Sequence, residues 1–318
     1  GLPMATCGVT HRTSIEHEGR SRHLQYRLPA IACTSTTTVY VPILMLVHCF
    51  GGSARGEMAK FAAHAERAGF AVLAPEGLWK SWNTPSCCGQ ARAAGLDDFG
   101  FLDAAVEHVV ATLPPLSQSI SHGLFASGFS NGGFVTSLLP SRSRLHWRGL
   151  APAAGHEYEA ASTRPVPISI FHCEDDSAVR FDGCCASNTC CCSIGSERAA
   201  CVGTRSLYGR WLQTNRCRGV QTQPGPGGAV CEVGMGCAAN TSLCVFPPST
   251  ACSHSAWVNN FPAADAVVAF FARQVCESPH GVILGETSVA GVRYGSSQGW
   301  IAARDAACTY AHPPSTPS

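Results

Sequence analysis

The chain has 318 residues, a formal net charge of +1 and only 14% charged residues. That length suffices for one large α/β domain with a substantial core, and the near-neutral balance excludes a charged surface built for nucleic acid or another polyanion. No apolar run approaches the roughly 20 residues that a bilayer-crossing helix needs.

Residues 13–28 alternate polar and less polar side chains around Glu18-Gly19-Arg20, which predicts an antiparallel hairpin ended by Pro29. Val41 to Val47 is an apolar run without alternation, the pattern of a central parallel strand covered by helices on both faces. It leads into His48-Cys49-Phe50-Gly51-Gly52-Ser53. A glycine-containing turn at the carboxyl end of a central strand is where an α/β sheet keeps its ligand site, and Phe50 is the residue whose N–H there would complete an oxyanion hole. A plain tight turn into the next helix would use the same glycines. His48 fits a structural role, holding this loop through hydrogen bonds.

Met58, Phe61, Ala62, Ala65 and Ala68 mark a helix face closed by Gly69, and residues 70–74 form the next strand. The long connection over 75–95 carries Trp79, Trp82 and the adjacent pair Cys87-Cys88. Two tryptophans beside a site can wall an aromatic or acyl group, or can be ordinary packing. Asp97 and Asp98 precede a helix predicted over 99–113 and serve most economically as caps, so neither is taken as a catalytic acid.

The stretch from Gly123 to Leu139 reads as strand, sharp turn and helix, with Gly128-Phe129-Ser130-Asn131-Gly132 at the turn. A G-x-S-x-G pentapeptide alone is common, but between strand and helix it pushes the serine hydroxyl out above the sheet. The free N–H groups of the helix start, that of Asn131 first, aim at the same point. Such a serine needs an acid and then a histidine further along the chain. Strands over 148–154 and 166–171 follow, and the second runs into His172-Cys173-Glu174-Asp175-Asp176. Asp176 is the preferred acid, with Asp175 or Glu174 as fallback, because a carboxylate beyond the end of a late strand can reach an imidazole above the sheet. After a helix over 204–215 and a last strand over 242–246, His254 alone among the 13 histidines lies between the final strand and the closing helix, which starts near residue 263.

Nineteen cysteines crowd toward the second half of the chain. None fall into the paired C-x-x-C spacing of a zinc site, so disulfides in an oxidising compartment are expected, with at least one cysteine left over. Asn240-Thr241-Ser242 is a glycosylation sequon, consistent with secretion.

With these residues in place, the chain resembles the secreted serine esterases grouped with polyhydroxybutyrate depolymerases and feruloyl esterases in the α/β-hydrolase superfamily. The resemblance covers most of residues 13–275. It rests on VHCFGGS at 47–53, APEGLWKSWN at 74–83, CCGQA followed by GLDDFGFLDA, GFSNGG at 128–133, RGLAPAAG at 148–155, HCEDD with FDG at 181–183, RWLQTNRC at 210–217 and SHSAW at 253–257. It implies an α/β-hydrolase fold with a mostly parallel sheet and a catalytic domain over 1–275. The cysteine cluster at 184–201 and the tail lie outside it, and residues 276–318 are expected to be a weakly structured C-terminal extension. Ser130 is implied as nucleophile, Asp176 as orienting acid, His254 as base and Trp257 as an aromatic beside the histidine. Phe50 and Asn131 as oxyanion donors and Trp82 as a second substrate-binding aromatic complete the expected site from the residue reading above. The resemblance further implies a Cys217–Cys237 disulfide and ester substrates that extend to polysaccharide or polyester. The acyl-transfer chemistry needs no cofactor or metal, the cysteines and the sequon point to an extracellular location, and charge and hydropathy leave no nucleic-acid or membrane partner expected. Feruloyl-type esters of plant cell-wall polysaccharide are the first expectation, and poly(3-hydroxyalkanoate) depolymerisation is the alternative.

The chain departs from that pattern where His48-Cys49 and His172-Cys173 replace His-Gly, and where Ser253-His254 replaces Gly-His. A cysteine does not take positive φ as glycine does, so the oxyanion loop is expected to be shifted or strained. The extreme of that expectation is a non-catalytic binding protein of the same fold. A cysteine nucleophile at Cys49 or Cys173 is remote, since neither lies on an elbow.

Overall fold

The computed structural model describes residues 5–34, 39–85, 87–113, 117–118, 123–155, 157, 159, 164–183, 202–254, 263–277 and 306–311. In chain order the elements are β1 (Thr10–His17), β2 (Arg20–Arg27), α1 (Ile31–Thr34), β3 (Val39–Tyr40), β4 (Ile43–Val47), α2 (Ala54–Arg67), β5 (Ala71–Pro75), α3 (Gly89–Ala93), α4 (Asp98–Ala111), β6 (Ser117–Gln118), β7 (Leu124–Phe129), α5 (Asn131–Arg142), β8 (Gly149–Ala153), β9 (Ile168–Cys173), α6 (Thr204–Thr214), β10 (Gly219–Pro224), β11 (Val230–Met235), β12 (Thr241–Phe246) and α7 (Ala263–Cys276). Among the described residues, ten strands form one sheet in the order β1-β2-β5-β4-β7-β8-β9-β12-β11-β10, and β3 pairs with β6 separately.

The six inner strands from β5 to β12 are parallel, and each end of the sheet is finished by antiparallel strands. Alternation along β4 shows why its sequence is apolar throughout. Ile43, Met45 and Val47 join one core cluster with Leu102, Val106 and Trp211, whereas Leu44 and Leu46 face the other with Met58, Phe61 and Phe271. Each fully buried side chain of this kind contributes about 1.5–3 kcal/mol. From β4 the chain moves to β5 on one side and later returns to β7 on the other. The reversal opens a crevice above the carboxyl ends of β4 and β7, where a doubly wound sheet places its ligands.

Local chemistry sets the helix ends. Ser53 caps α2 by accepting the Gly56 N–H at 3.2 Å, and Asp97 caps α4 by accepting the Gly100 N–H at 2.9 Å. Asp98 corrects the expectation that both acids cap. Its buried carboxylate takes a hydrogen bond from the Arg22 guanidinium at 2.6 Å and from the Asn83 N–H at 2.7 Å, so it joins β2, α4 and the 75–95 connection. Burial pushes the Asp98 carboxyl above its usual range, and Arg22 works against that shift.

Two other regions differ from the sequence reading. The β10–β11 hairpin was not expected, because GVQTQP is exposed along its whole length and lacks the apolar alternation that marks a half-buried strand. In the tail, residues 306–311 are helical, Cys308 is bonded to Cys276, and the Tyr310 hydroxyl lies 2.8 Å from His64 Nδ1 and donates to Asp265 at 2.6 Å. That part of the tail is therefore tied to α2 and α7 rather than being a weakly structured extension.

Disulfides join Cys7–Cys33, Cys87–Cys88, Cys173–Cys252, Cys217–Cys237, Cys231–Cys244 and Cys276–Cys308, and Cys49 is a free thiol. The cysteine-rich segment 184–201 lies outside the described residues. No helix among the described residues is long and apolar enough to cross a membrane.

Removing Arg22 strands a buried carboxylate. Arg22→Ala is expected to lower stability by about 3–5 kcal/mol in urea unfolding, and a loss under 1 kcal/mol would show that the pair does not hold the 75–95 connection.

Candidate active site

The elbow is built by close approach. A Cβ on Gly132 would meet the carbonyl oxygen of Val47 at the end of β4, and one on Gly128 would meet the carbonyl of Gly132. Glycine at these two positions lets α5 press its first turn against the strand ends. Ser130, between them, sits at φ 57° and ψ −118°, a strained backbone for a residue with a side chain. Its own N–H donates to the Ala153 carbonyl at 2.9 Å, which ties the turn to β8.

His254 follows β12 and a short turn over Pro248–Thr250. Its Nε2 lies 3.0 Å from Ser130 Oγ, and its Nδ1 lies 2.8 Å from Asp176 Oδ2. With Nδ1–H donating to the carboxylate, Nε2 is free to accept the serine proton. The ring also packs on Phe129, the second residue of the pentapeptide, with centroids 4.7 Å apart.

Asp176 is buried and is oriented from its other oxygen. Oδ1 accepts the N–H groups of Ala178 at 2.9 Å and Val179 at 2.7 Å. The buried His172 stands behind it, donating from Nε2 to the Val179 carbonyl at 2.8 Å, with that nitrogen 3.6 Å from Asp176 Oδ2. Glu174 and Asp175, the fallback acids, are exposed.

The loop after β4 is held from below by His48. Its Nδ1 donates to the Cys49 carbonyl at 2.7 Å and its Nε2 accepts the Gly77 N–H at 2.9 Å, a pair of partners that fixes the neutral tautomer. Burial lowers the His48 pKa below its ordinary value. The Gly51 and Gly52 N–H groups are used within the loop region, by Lys80 and Cys49 carbonyls at 2.8 and 2.9 Å. Among the described residues the N–H groups of Phe50 and Asn131 have no acceptor in the protein.

Neither cysteine that stands where the resembling family has glycine is strained as expected. Positive φ falls on Gly51 (75°) and not on Cys49, and Cys173 is an extended strand residue paired with Phe246. Burial raises the Cys49 thiol pKa, which disfavours the thiolate that a cysteine nucleophile would need.

Trp82 also requires correction. It is 0% exposed, its indole N–H donates to the His48 carbonyl at 2.9 Å, and it belongs to the core rather than to a substrate wall. The exposed aromatics of this region are Trp79, at 48%, and Phe50, at 37%. Trp257 lies outside the described residues. Sequence reasoning missed the Asn131 side chain, whose Oδ1 accepts the Trp82 N–H at 2.7 Å while Nδ2 donates to the Trp82 carbonyl at 3.1 Å. An amide next to the elbow serine offered no sign of a partner 49 residues earlier in the chain. Among the described residues no three His, Cys, Asp or Glu side chains gather as a metal-binding group.

His48 predicts a pH dependence of stability. Its folded pKa is depressed, so its contribution is complete above the unfolded value of about 6.5 and is lost as pH falls from there through the folded pKa. Urea unfolding of the wild type between pH 7 and pH 5 should show a fall in stability that is shallower in His48→Gln. Equal slopes would mean that other histidines account for it.

No protein-family model and no curated protein matches the chain by sequence. Similarity appears in three dimensions. A thermostable esterase aligns at 12% identity over 82% of this chain and 62% of its own, with a TM-score of 0.52. The acetyl xylan esterase of Aspergillus awamori aligns at 12% identity over 78% of this chain and 94% of its own, with a TM-score of 0.51. The acylaminoacyl peptidase of Pyrococcus horikoshii aligns at 11% identity over 83% of this chain and 40% of its own, with a TM-score of 0.50. At such identities the likeness speaks for architecture, and with the sheet order above it shows that this chain has the α/β-hydrolase fold.

Proposed function

We propose that the protein is a serine carboxylic ester hydrolase working through an acyl-enzyme. The observation that carries this reading is the continuous line from Ser130 Oγ through His254 to Asp176, at 3.0 and 2.8 Å, with the serine strained on a strand-to-helix elbow. His254 Nε2 takes the Ser130 proton as Oγ attacks the ester carbonyl, and Asp176 holds the imidazole in the productive tautomer and stabilises its charged form. The N–H groups of Phe50 and Asn131 receive the oxyanion, each such donor being worth about 3 kcal/mol of barrier. The histidinium then returns its proton to the leaving alcohol. A water molecule, deprotonated by the same ring, releases the acid and restores the serine.

The substrate reading rests on the sequence resemblance, which favours feruloyl-type esters of plant polysaccharide. Exposed Phe50 and Trp79 offer aromatic surface near the loop, in place of the buried Trp82. The A. awamori neighbour adds acetylated xylan to the substrates worth testing. An extracellular location is supported by the six disulfides among the described residues, which persist best in an oxidising compartment. The ordinary backbone at Cys49 and Cys173 supports the catalytic reading over a non-catalytic one.

A fluorophosphonate probe should label Ser130, and Ser130→Ala or His254→Ala should lower kcat on p-nitrophenyl acetate by at least about 10⁴-fold. No labelling together with no turnover by the wild type would refute the esterase reading. Methyl ferulate is expected to be hydrolysed in preference to acetylated xylan and to a poly(3-hydroxybutyrate) film, and faster release from the film would move the assignment to a depolymerase.

A further inference from the structure

We propose that the Cys173–Cys252 disulfide is a positioning device that sets the distance between the base and the acid of the triad. The inference rests on the esterase reading for its kinetic consequences. Its geometry is independent of that reading.

Cys173 is the last residue of β9 and stands three residues before Asp176, while Cys252 stands two residues before His254. The disulfide therefore bridges the two segments that carry the carboxylate and the imidazole, close to both. Asp176 has support of its own from the Ala178 and Val179 N–H groups and from the turn in which its N–H donates to the Cys173 carbonyl at 3.2 Å. The histidine segment is built differently. After Phe246 it leaves the sheet through a turn whose backbone hydrogen bonds close on themselves, Thr250 N–H to the Pro247 carbonyl at 2.9 Å and Ala251 N–H to the Pro248 carbonyl at 3.0 Å. Ala251 then takes a left-handed conformation, φ 52°, that redirects the chain toward the site.

The covalent bond from Cys252 to the end of β9 fixes that redirected segment to a rigid strand. Both cysteines are buried in the apolar cluster with Phe171 and Phe246, so they act on the reaction through His254 and not on substrate. This also accounts for cysteine at a strand end where the resembling family has glycine. The glycine is replaced by one half of a clamp.

The test is Cys173→Ser/Cys252→Ser, compared with Cys217→Ser/Cys237→Ser, which opens a disulfide on the β10–β11 side of the domain. A displacement of order 1 Å at a catalytic group costs about 10²-fold. The first variant should lose about 10²-fold in kcat on p-nitrophenyl acetate with KM within about twofold of wild type. The second should lower Tm and leave kcat unchanged. The downfield proton resonance of the His254 Nδ1–H should be present in the wild type and lost or moved upfield in the first variant only. A folded first variant with wild-type kcat and an unmoved resonance would overturn the proposal.

Should that variant fail to fold, stepwise reduction of the folded wild type with dithiothreitol, followed by alkylation and mass mapping, decides the point. Activity should fall in step with alkylation of Cys173 and Cys252, and full activity with that pair opened would overturn the proposal. A wild type that neither turns over ester nor reacts with fluorophosphonate would defeat the esterase reading, and the resonance comparison would still decide the positioning claim.

Discussion

The structure depends on one steric constraint, the contact between the first turn of α5 and the carboxyl ends of β4 and β8. Gly132 against the Val47 carbonyl and Gly133 against the Ala153 carbonyl leave no room for any side chain. That approach forces Ser130 into its strained conformation and holds the start of the helix dipole above the sheet. Strain of this kind costs on the order of 1–3 kcal/mol and persists because the strands on both sides are buried and held in the sheet. The large two-faced core thus holds the serine where a relaxed turn would not.

Around that contact lies a polar network that anchors the long connection after β5. Asn131 holds both backbone groups of Trp82, Trp82 holds the His48 carbonyl, and His48 holds Gly77 and Cys49. Asp98, neutralised by Arg22, holds Asn83 from the other side. The polar groups of Asn131, Trp82 and His48 in this network are partnered, as the desolvation cost of an unpaired group, about 1–3 kcal/mol, requires, whereas the buried Arg22 Nε has no partner. The outcome is that the loop bearing Phe50 rests on a rigid support. The Ser130–His254–Asp176 line has the same organisation on its far side, where the Asp176 carboxylate is oriented by two backbone N–H groups and flanked by His172.

Much of this was legible in the sequence, for reasons that are local. An unbroken apolar run such as 43–47 has no stable place except a strand covered on both faces, and glycines flanking a serine between strand and helix have few other uses. The order serine, acid, histidine then left His254 by its place between the last strand and the last helix. What failed did so because its partner was distant or its signal absent. Trp82 looked like a site wall because its neighbours in sequence are loop residues, yet it packs into the core through Asn131 and His48. Asp98 looked like a cap, yet it answers an arginine 76 residues earlier. The β10–β11 hairpin had no pattern to read, since both faces of β10 meet solvent.

The sequence by itself determined the parallel α/β architecture, the elbow and the residue types that a nucleophile, a base and an acid require, because periodicity, turn chemistry and chain order are properties of neighbouring residues. Only the tertiary structure decided which side chains face the crevice and which lie beneath it, and that cysteines 79 positions apart clamp the histidine segment to the acid strand. Those outcomes depend on distances between segments remote in the chain, which are set by how the sheet and its helices pack as a whole.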